Sequence, residues 1–315
     1  MDRFAEVEVF VRIVETGGIG AAARRMGVAK SVVSRRLRDL EDRVGGRLIN
    51  RTTRQFSLTE TGRAYYERVS KVLEDLEEAD QAALSDSSTL SGTIRVAAPM
   101  TFGVMHLAPA IADFLKEHEQ VRIDLELNDR FVDLVEEGFD VAVRIGALSD
   151  SSLIARKLAP VRNAMMASPE FIARHGRPKR ADDLNGLPAL HYTGVAKRNL
   201  FQIRTPEGEP VAVRPDIRMR ANNGEMLLKM AEAGLGFLIN PTFISAPSVD
   251  AGKLEILLPD HGLDAITAYA IYPPGRNLST KVRAFIDFLV GRFGEQPYWD
   301  RCLDRALKAA KEPVA

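Results

Sequence analysis

Apolar residues recur three and four positions apart from Phe4 to Val44, and the period then changes. Phe4, Val7, Val11 and Val14 predict a first helix, opened by an acidic turn and stopped at Gly17-Gly18. Ile19, Ala22, Ala23 and Met26 predict a short second helix with Gly27 as its left-handed cap, and the paired alanines allow a neighbouring helix to approach closely. Val33, Leu37, Leu40 and Val44 form the stripe of a third, ended by Gly45-Gly46. In the following RLINRTTRQFSLTETG apolar and polar residues roughly alternate, as in a small hairpin, before Thr59 offers a helix cap. Three short helices, the latter two joined by a tight turn, and a hairpin make a helix-turn-helix with a wing.

The helical pattern then runs without proline from Thr59 to about Ser88, on the order of 45 Å if continuous. Tyr65, Val69, Val72, Leu76, Ala79 and Ala83 repeat at alternating spacings of four and three, with charged residues flanking them, which is a seam for another helix. The chain's own wing domain can cover part of that seam, and a second subunit the rest. The small, polar LSDSSTLSG at 84–92 predicts a domain boundary.

Beyond it, TIRVAAP, VRIDLEL and FDVAVRIG read as strands, with GVMHLAPAIADFLKEHE and FVDLVEEG as helices between them. A second set follows in LPALHY, DIRMRAN, the helical NGEMLLKMAEAG, and GLGFLINP. AITAYAIYPP then returns as a strand before the helix STKVRAFIDFLVGRF. This order predicts two α/β lobes with parallel sheets and a cleft crossed by two strands, the kind of place where small ligands bind. The tail, 296–315, has Trp299, Leu303, Ala306 and Ala310 near helical spacing and predicts one more helix docked on the surface.

Charge sharpens this reading. The chain has 43 basic and 43 acidic residues, yet the segment from Arg24 to Arg54 carries ten basic and three acidic ones. A concentrated basic patch on an otherwise acidic chain is the electrostatic footprint of a polyanion partner. At about 100° per residue, Ser31, Arg35 and Arg38 lie opposite the stripe of the third helix, with Ser34 beside them. Insertion of its first turns into a major groove places Ser31, Ser34 and Arg35 near base edges, with Lys30, Arg36 and Arg38 as further DNA candidates. Arg51, Thr52, Thr53 and Arg54 fall at the wing tip, where such side chains hold phosphate oxygens or reach the minor groove.

Residues 4–62, with AAARRM, VVSRRLRDLEDRVG, RLINRTTR and LTETG in order, resemble the winged helix-turn-helix of LysR-type transcriptional regulators. Ala22, Ala23, Ser34, Leu40, Glu41, Gly45, Arg51, Thr52, Leu58, Thr59 and Gly62 carry the resemblance. The chain departs from the family pattern at Gly18-Ile19-Gly20, at Ala29-Lys30 and at Ile49. An Ala where a Ser would cap a helix costs about 1 kcal/mol unless Ser31 takes over the cap. IRVAAPMTFG, EGFDVAVRIG, AGLGFLINP and YAIYPPGRNLSTKVRAFIDFL are similar to the effector domain of the same family, which has the fold of type 2 periplasmic binding proteins.

The resemblance implies a winged helix-turn-helix over 1–58, a dimerising linker helix over 59–90 and an effector domain of two α/β lobes over 91–295; the helical extension expected over 296–315 lies past its end. It implies that Thr101, Phe102, Asn128, Ile145, Gly146, Tyr192, Asn222 and Gly236 line an effector cleft, with core packing the competing role of Phe102 and Ile145, and a turn requirement that of Gly236. The helix start at Met100–Gly103 would hold a carboxylate on its backbone N–H groups. The implied partners are promoter DNA carrying an imperfect inverted repeat, a small effector that is aromatic or bears a carboxylate, and further copies of the chain as dimer or tetramer. RNA polymerase is a further partner that such a role allows.

Other classes fit less well. The five histidines are scattered with no nucleophile beside them, and no catalytic, zinc-binding or phosphate-loop motif occurs, so neither an enzyme nor a metal or other cofactor is expected. His106 reads as a packed histidine. A single cysteine, Cys302, allows no internal disulfide, and no apolar run approaches the length of a membrane span, so a cytoplasmic protein without membrane contact is expected. A transport-binding protein would need a secretory signal. A DNA-compacting protein would be less acidic over most of its mass.

Overall fold

A computed structural model describes residues 2–51, 56–84, 90–130, 132–146, 152–194, 200–274 and 278–311. The chain divides into two compact units, 1–92 and 93–315.

In the first unit, helices α1 (Arg3–Thr16), α2 (Ile19–Met26) and α3 (Lys30–Val44) precede an antiparallel hairpin, β1 (Ile49–Arg51) and β2 (Phe56–Leu58), and a long helix, α4 (Glu60–Leu84). Gly17, Gly27 and Gly45 end the three short helices in left-handed conformation, as predicted. The stripe of α1 is wider than its period suggests. Val9, Phe10 and Ile13 are fully buried, whereas Phe4 is 53% exposed. The helix packs against both α3 and α4, so two faces are covered, while Phe4 in its first turn borders an open groove beside α4. Phe10 meets Tyr65 and Tyr66 of α4, with ring centroids 5.8 and 6.3 Å apart. Neither α2 nor α3 has a side-chain cap; Ala29 holds the cap position of α3, and Ser31 does not replace it.

Two devices fasten the wing. The buried Glu41 accepts hydrogen bonds from the N–H groups of Leu48 and Ile49, at 2.9 and 3.3 Å. Thr59 caps α4 by accepting from Gly62 N at 2.9 Å, and its hydroxyl donates to Arg47 O at 2.8 Å. A Cβ on Gly62 would lie 1.9 Å from Leu48 O, so only glycine allows α4 to approach the strand this closely.

The second unit contains two five-stranded sheets. Its strands are β3 (Gly92–Ala98), β4 (Val121–Leu127), β5 (Val141–Gly146), β6 (Ile154–Val161), β7 (Asn163–Ala167), β8 (Pro188–Tyr192), β9 (Phe201–Arg204), β10 (Pro210–Val213), β11 (Asp216–Ala221), β12 (Phe237–Pro241), β13 (Glu255–Leu257) and β14 (Ile266–Tyr272). The first lobe has the order β4-β3-β5-β14-β6, the second β11-β8-β12-β7-β13, and β9 and β10 form a separate antiparallel pair. Consecutive strands β6 and β7 belong to different sheets, as do β13 and β14, so the chain crosses between lobes twice. The sheets are mixed rather than parallel: β14 runs antiparallel to β5 and β6, and β7 to β12 and β13, because these strands arrive from the opposite lobe.

Helices α5 (Met100–Phe102) and α6 (Ala108–Glu117) are joined by a π-helical turn at Gly103–Leu107, and α7 (Pro169–His175), α8 (Gly224–Glu232), α9 (Thr242–Asp250), α10 (Thr280–Phe293) and α11 (Arg301–Lys311) follow. Of the predicted helix FVDLVEEG, Phe131 lies outside the described residues, and 132–138 form a turn instead. Asp133 accepts from the N–H groups of Val135 and Glu136 while Glu137 accepts from Asp133 N, and Gly138 closes the segment at φ 73°, so one capped turn uses the polar groups a longer helix would need. The tail is helical, and its first residues are interior: Trp299 is 2% exposed and packs among Phe102, His106, Phe243 and Phe293. Cys302 is buried beside it.

Candidate nucleic-acid interface and ligand cleft

The basic residues of the first unit separate into two groups. Arg43 donates to the buried Glu6 through Nε and a terminal nitrogen, at 3.1 and 2.9 Å, and so ties the end of α3 to α1. Its charge is engaged within the fold. Lys30, Ser31, Arg35 and Arg38 are exposed, Ser34 and Arg36 half-buried, and none of the six side chains has a hydrogen bond or ion pair to another described residue. With no side-chain cap, the first N–H groups of α3 also face outward beside Lys30 and Ser31, adding the positive end of the helix to the same surface. Arg51 has its backbone in β1, and its side chain lies outside the described residues, as do Thr52, Thr53 and Arg54.

On α4, Tyr65 and Val69 pack on the core of their own unit together with Tyr66 and Leu73. Val72 and Leu76, further along the same seam, are 53% and 40% exposed. An apolar groove of about 270 Å³ runs between α1 and α4, with Phe4, Val69 and Val72 in its wall. The side chains of Ala79 and Ala83 lie outside the described residues.

In the second unit the ends of β3, β5, β8 and β11 bring Thr101, Gly146, Tyr192, Asn222 and Asn223 to the strand termini where α/β folds bind ligands. Thr101 is buried, and its hydroxyl oxygen accepts from Asn223 Nδ2 at 3.5 Å, a contact between the lobes. Asn223 also caps α8, its Oδ1 accepting from Met226 N at 2.9 Å, whereas Asn222 beside it is exposed. The strand-to-helix junction NGEM carries that capping signal, which singles out Asn223. A carboxylate does sit at the start of α5, and it belongs to the chain: Asp129 Oδ1 accepts from Met100 N at 3.1 Å. Burial, and then the charge of Asp129 from the other lobe, raise the pKa of the Tyr192 phenol.

The remaining expected lining residues lie elsewhere or turn aside. Phe102 is fully buried among His106, Phe243, Phe293 and Trp299, a core position rather than a cleft wall. Gly236 is required by strand packing, since a Cβ there would stand 3.0 Å from Pro188 O, and its φ is not in the left-handed range that a turn would demand. Asn128 is half-buried, with its amide donating to Glu126 at 2.7 Å. Ile145 is half-buried at the end of β5. His106 is packed, as its sequence context suggested: Nε2 donates to Phe243 O at 3.0 Å and Nδ1 lies 2.5 Å from the Tyr298 hydroxyl.

A winged helix with an unpaired cationic recognition face, followed in the chain by two lobes around a cleft, defines a ligand-responsive DNA-binding protein. Residues 4–63 match the bacterial regulatory helix-turn-helix proteins of the lysR family, and residues 87–294 match the LysR substrate binding domain. The chain belongs to the LysR family of transcriptional regulators. It is 33% identical to the transcriptional regulator CrgA of Neisseria meningitidis serogroup C (strain 8013), over 92% of this chain and 96% of that one. It is 32% identical to the transcriptional activator AaeR of Escherichia coli K12, over 94% and 95% of the two chains. The solved structure of CrgA from Neisseria meningitidis superposes with a TM-score of 0.59 at 32% identity, covering 92% of this chain and 99% of that one.

Proposed function

We propose that this LysR-type regulator reads an imperfect inverted repeat through the exposed face of α3, with Ser31, Ser34 and Arg35 toward base edges and Lys30, Arg36 and Arg38 toward phosphates. The observation that carries this reading is the separation of Arg43, which is paired internally, from six polar and cationic residues on α3 that have no partner among the described residues. Arg51, Thr52, Thr53 and Arg54 of the wing add phosphate or minor-groove contacts.

Two subunits pair through the distal seam of α4, where Val72 and Leu76 are exposed beside the apolar groove that contains Phe4. Pairing sets two recognition helices on one duplex. A small effector enters between the lobes at Thr101, Asn223, Tyr192 and Gly146. Because Asp129 already occupies the helix start at Met100, a carboxylate-bearing effector reaches that N–H only by displacing Asp129. Its different affinity for two lobe arrangements supplies the control. The regulator acts in the cytoplasm, where RNA polymerase is its further partner, and carries out no catalysis; no helix among the described residues is long and apolar enough to cross a membrane.

The test is fluorescence anisotropy of the full-length protein on the intergenic DNA beside its own gene, against scrambled competitor, over a salt series. Selective binding with a steep salt dependence is the expected result. Equal binding to scrambled DNA, with and without candidate metabolites, would leave a compaction protein instead.

A further inference from the structure

A cavity of about 210 Å³ lies at the hinge of the second unit. Its walls include Arg162 and Asn163, where β6 passes into β7, and residues from Leu258 to Ala265, where β13 passes into β14. Both segments that cross between the lobes therefore border one space, and a change of lobe angle alters its width. Leu258 has a φ of 47°, the one non-glycine positive φ among the described residues, a conformation that a branched side chain keeps only when its surroundings enforce it.

The C-terminal extension completes the cavity. Leu303 of α11 is part of the wall, and this helix lies beyond the segment that matches the family's substrate-binding domain. It is held to the hinge: Arg162 donates to Asp304 at 2.6 Å, Arg305 pairs with Asp250, and Thr242 donates to the buried Asp300 at 2.5 Å. Hinge and extension thus form one polar-fastened unit around a partly open space, apolar at Met165, Leu257, Leu258 and Leu303 and polar at Arg162, Asn163 and His261.

The lining selects a ligand class. A dry cavity of about 150 Å³ holds a benzene ring, so this one has room for a monocyclic molecule with a short substituent. Each basic side chain of the lining already carries a carboxylate, Arg162 that of Asp304 and His261 Nδ1 that of Asp260 at 2.8 Å. An acid would find no unengaged cation, and burying its charge would be unfavourable. The His261 side chain is 6% exposed, and its Nε2 has no partner among the described residues. In the neutral ring that donates Nδ1–H to Asp260, Nε2 is left as an acceptor.

We propose that this hinge cavity is a second ligand site, separate from the cleft at Thr101, that takes a compact uncharged molecule with one hydroxyl donating to His261 Nε2. A ligand there touches both crossing segments and Leu303, so its occupancy biases the lobe angle.

The probes are benzyl alcohol and benzoate, which have similar skeletons and differ in charge, titrated into the full-length protein by calorimetry. Benzyl alcohol saturates below about 10 mM, the range expected of so small a ligand. Benzoate binds at least about tenfold more weakly. Ala265→Leu, which adds bulk at the exposed rim of the cavity, weakens benzyl alcohol several-fold, while Thr101→Val changes it less than about twofold. His261→Phe, which removes the acceptor, gives a several-fold loss and keeps the test open should Ala265→Leu not fold. Trp299 is the only tryptophan of the chain and stands four residues before Leu303, so its emission shifts with benzyl alcohol and stays constant in Ala265→Leu. No saturable binding, equal binding of benzoate, or wild-type affinity in both cavity variants overturns the proposal. Retained DNA binding in these variants keeps that outcome distinct from failure of the regulator assignment.

Discussion

Glu41 and Gly62 show how single residues set the geometry of the DNA-reading surface. Glu41→Ala leaves two buried N–H groups without their acceptor, and a loss of about 2–4 kcal/mol in the stability of the first unit is expected in denaturant titration. Glu41→Gln keeps an acceptor oxygen and loses less. Gly62→Ala forces α4 away from Leu48 O, at about 3 kcal/mol or more, and wing and helix separate together. Arg35→Ala has a different signature, because the Arg35 side chain has no partner among the described residues. It lowers discrimination at one position of each half-site by about 1–3 kcal/mol and leaves the melting curve unchanged. Resemblance of motif pointed to Glu41 and Gly62 but not to their reason, which is a backbone contact made across a turn. Arg43 and Arg35 look alike in sequence, and only the position of Glu6 on another helix separates them.

At the scale of elements, the one seam of α4 meets two environments, and we propose a separate role for each. Its first turns complete the core around Phe10, and its middle leaves Val72 and Leu76 exposed. Val72→Asp is therefore expected to shift the oligomer toward monomer in analytical ultracentrifugation without unfolding the first unit, and to weaken binding to paired half-sites more than to a single one. The heptad spacing was plain, whereas the division of labour was not, because it depends on how far the wing domain reaches along the helix. The turn at 132–138 shows the converse: its apolar spacing suits a helix, and local side-chain hydrogen bonds from Asp133 and Glu137 prevail.

His106 joins α5–α6, α9 and the C-terminal extension as a neutral ring. Burial lowers its pKa, only partly offset by the bond to Phe243 O, and burial with the charge of Arg220 lowers that of His191. Both folded-state values lie below the unfolded value near 6.5, so the neutral rings contribute fully above that pH and lose their contribution as the pH falls below it. Chemical denaturation at about pH 7.5 and about pH 5.5 should show lower stability at the acid pH, with a shallower fall in His106→Asn.

For the whole molecule, control requires that something between the lobes favour one arrangement. Thr101 and Asn223 meet across the cleft, so Thr101→Val should weaken the response to effector in a reporter assay while DNA affinity without effector stays the same. Phe102, one residue further on, belongs to a packed aromatic cluster, and its truncation to Ala should cost about 3–5 kcal/mol in the stability of the second unit.

The two units, their order and the exposed cationic face of α3 that we propose reads DNA follow from periodicity and charge, because each depends on residues less than two turns or one strand apart. The hinge does not. Strands β7 and β13 are short, β6 lacks strict alternation, and all three gain their meaning from sheets assembled by strands far away in the chain. Which cation is free, which of two adjacent asparagines reaches Thr101, and where a cavity opens beside Leu303 are settled by long-range packing. Local sequence specifies an element through its own backbone and nearest neighbours; the surroundings of a side chain are specified by whatever the completed fold brings against it.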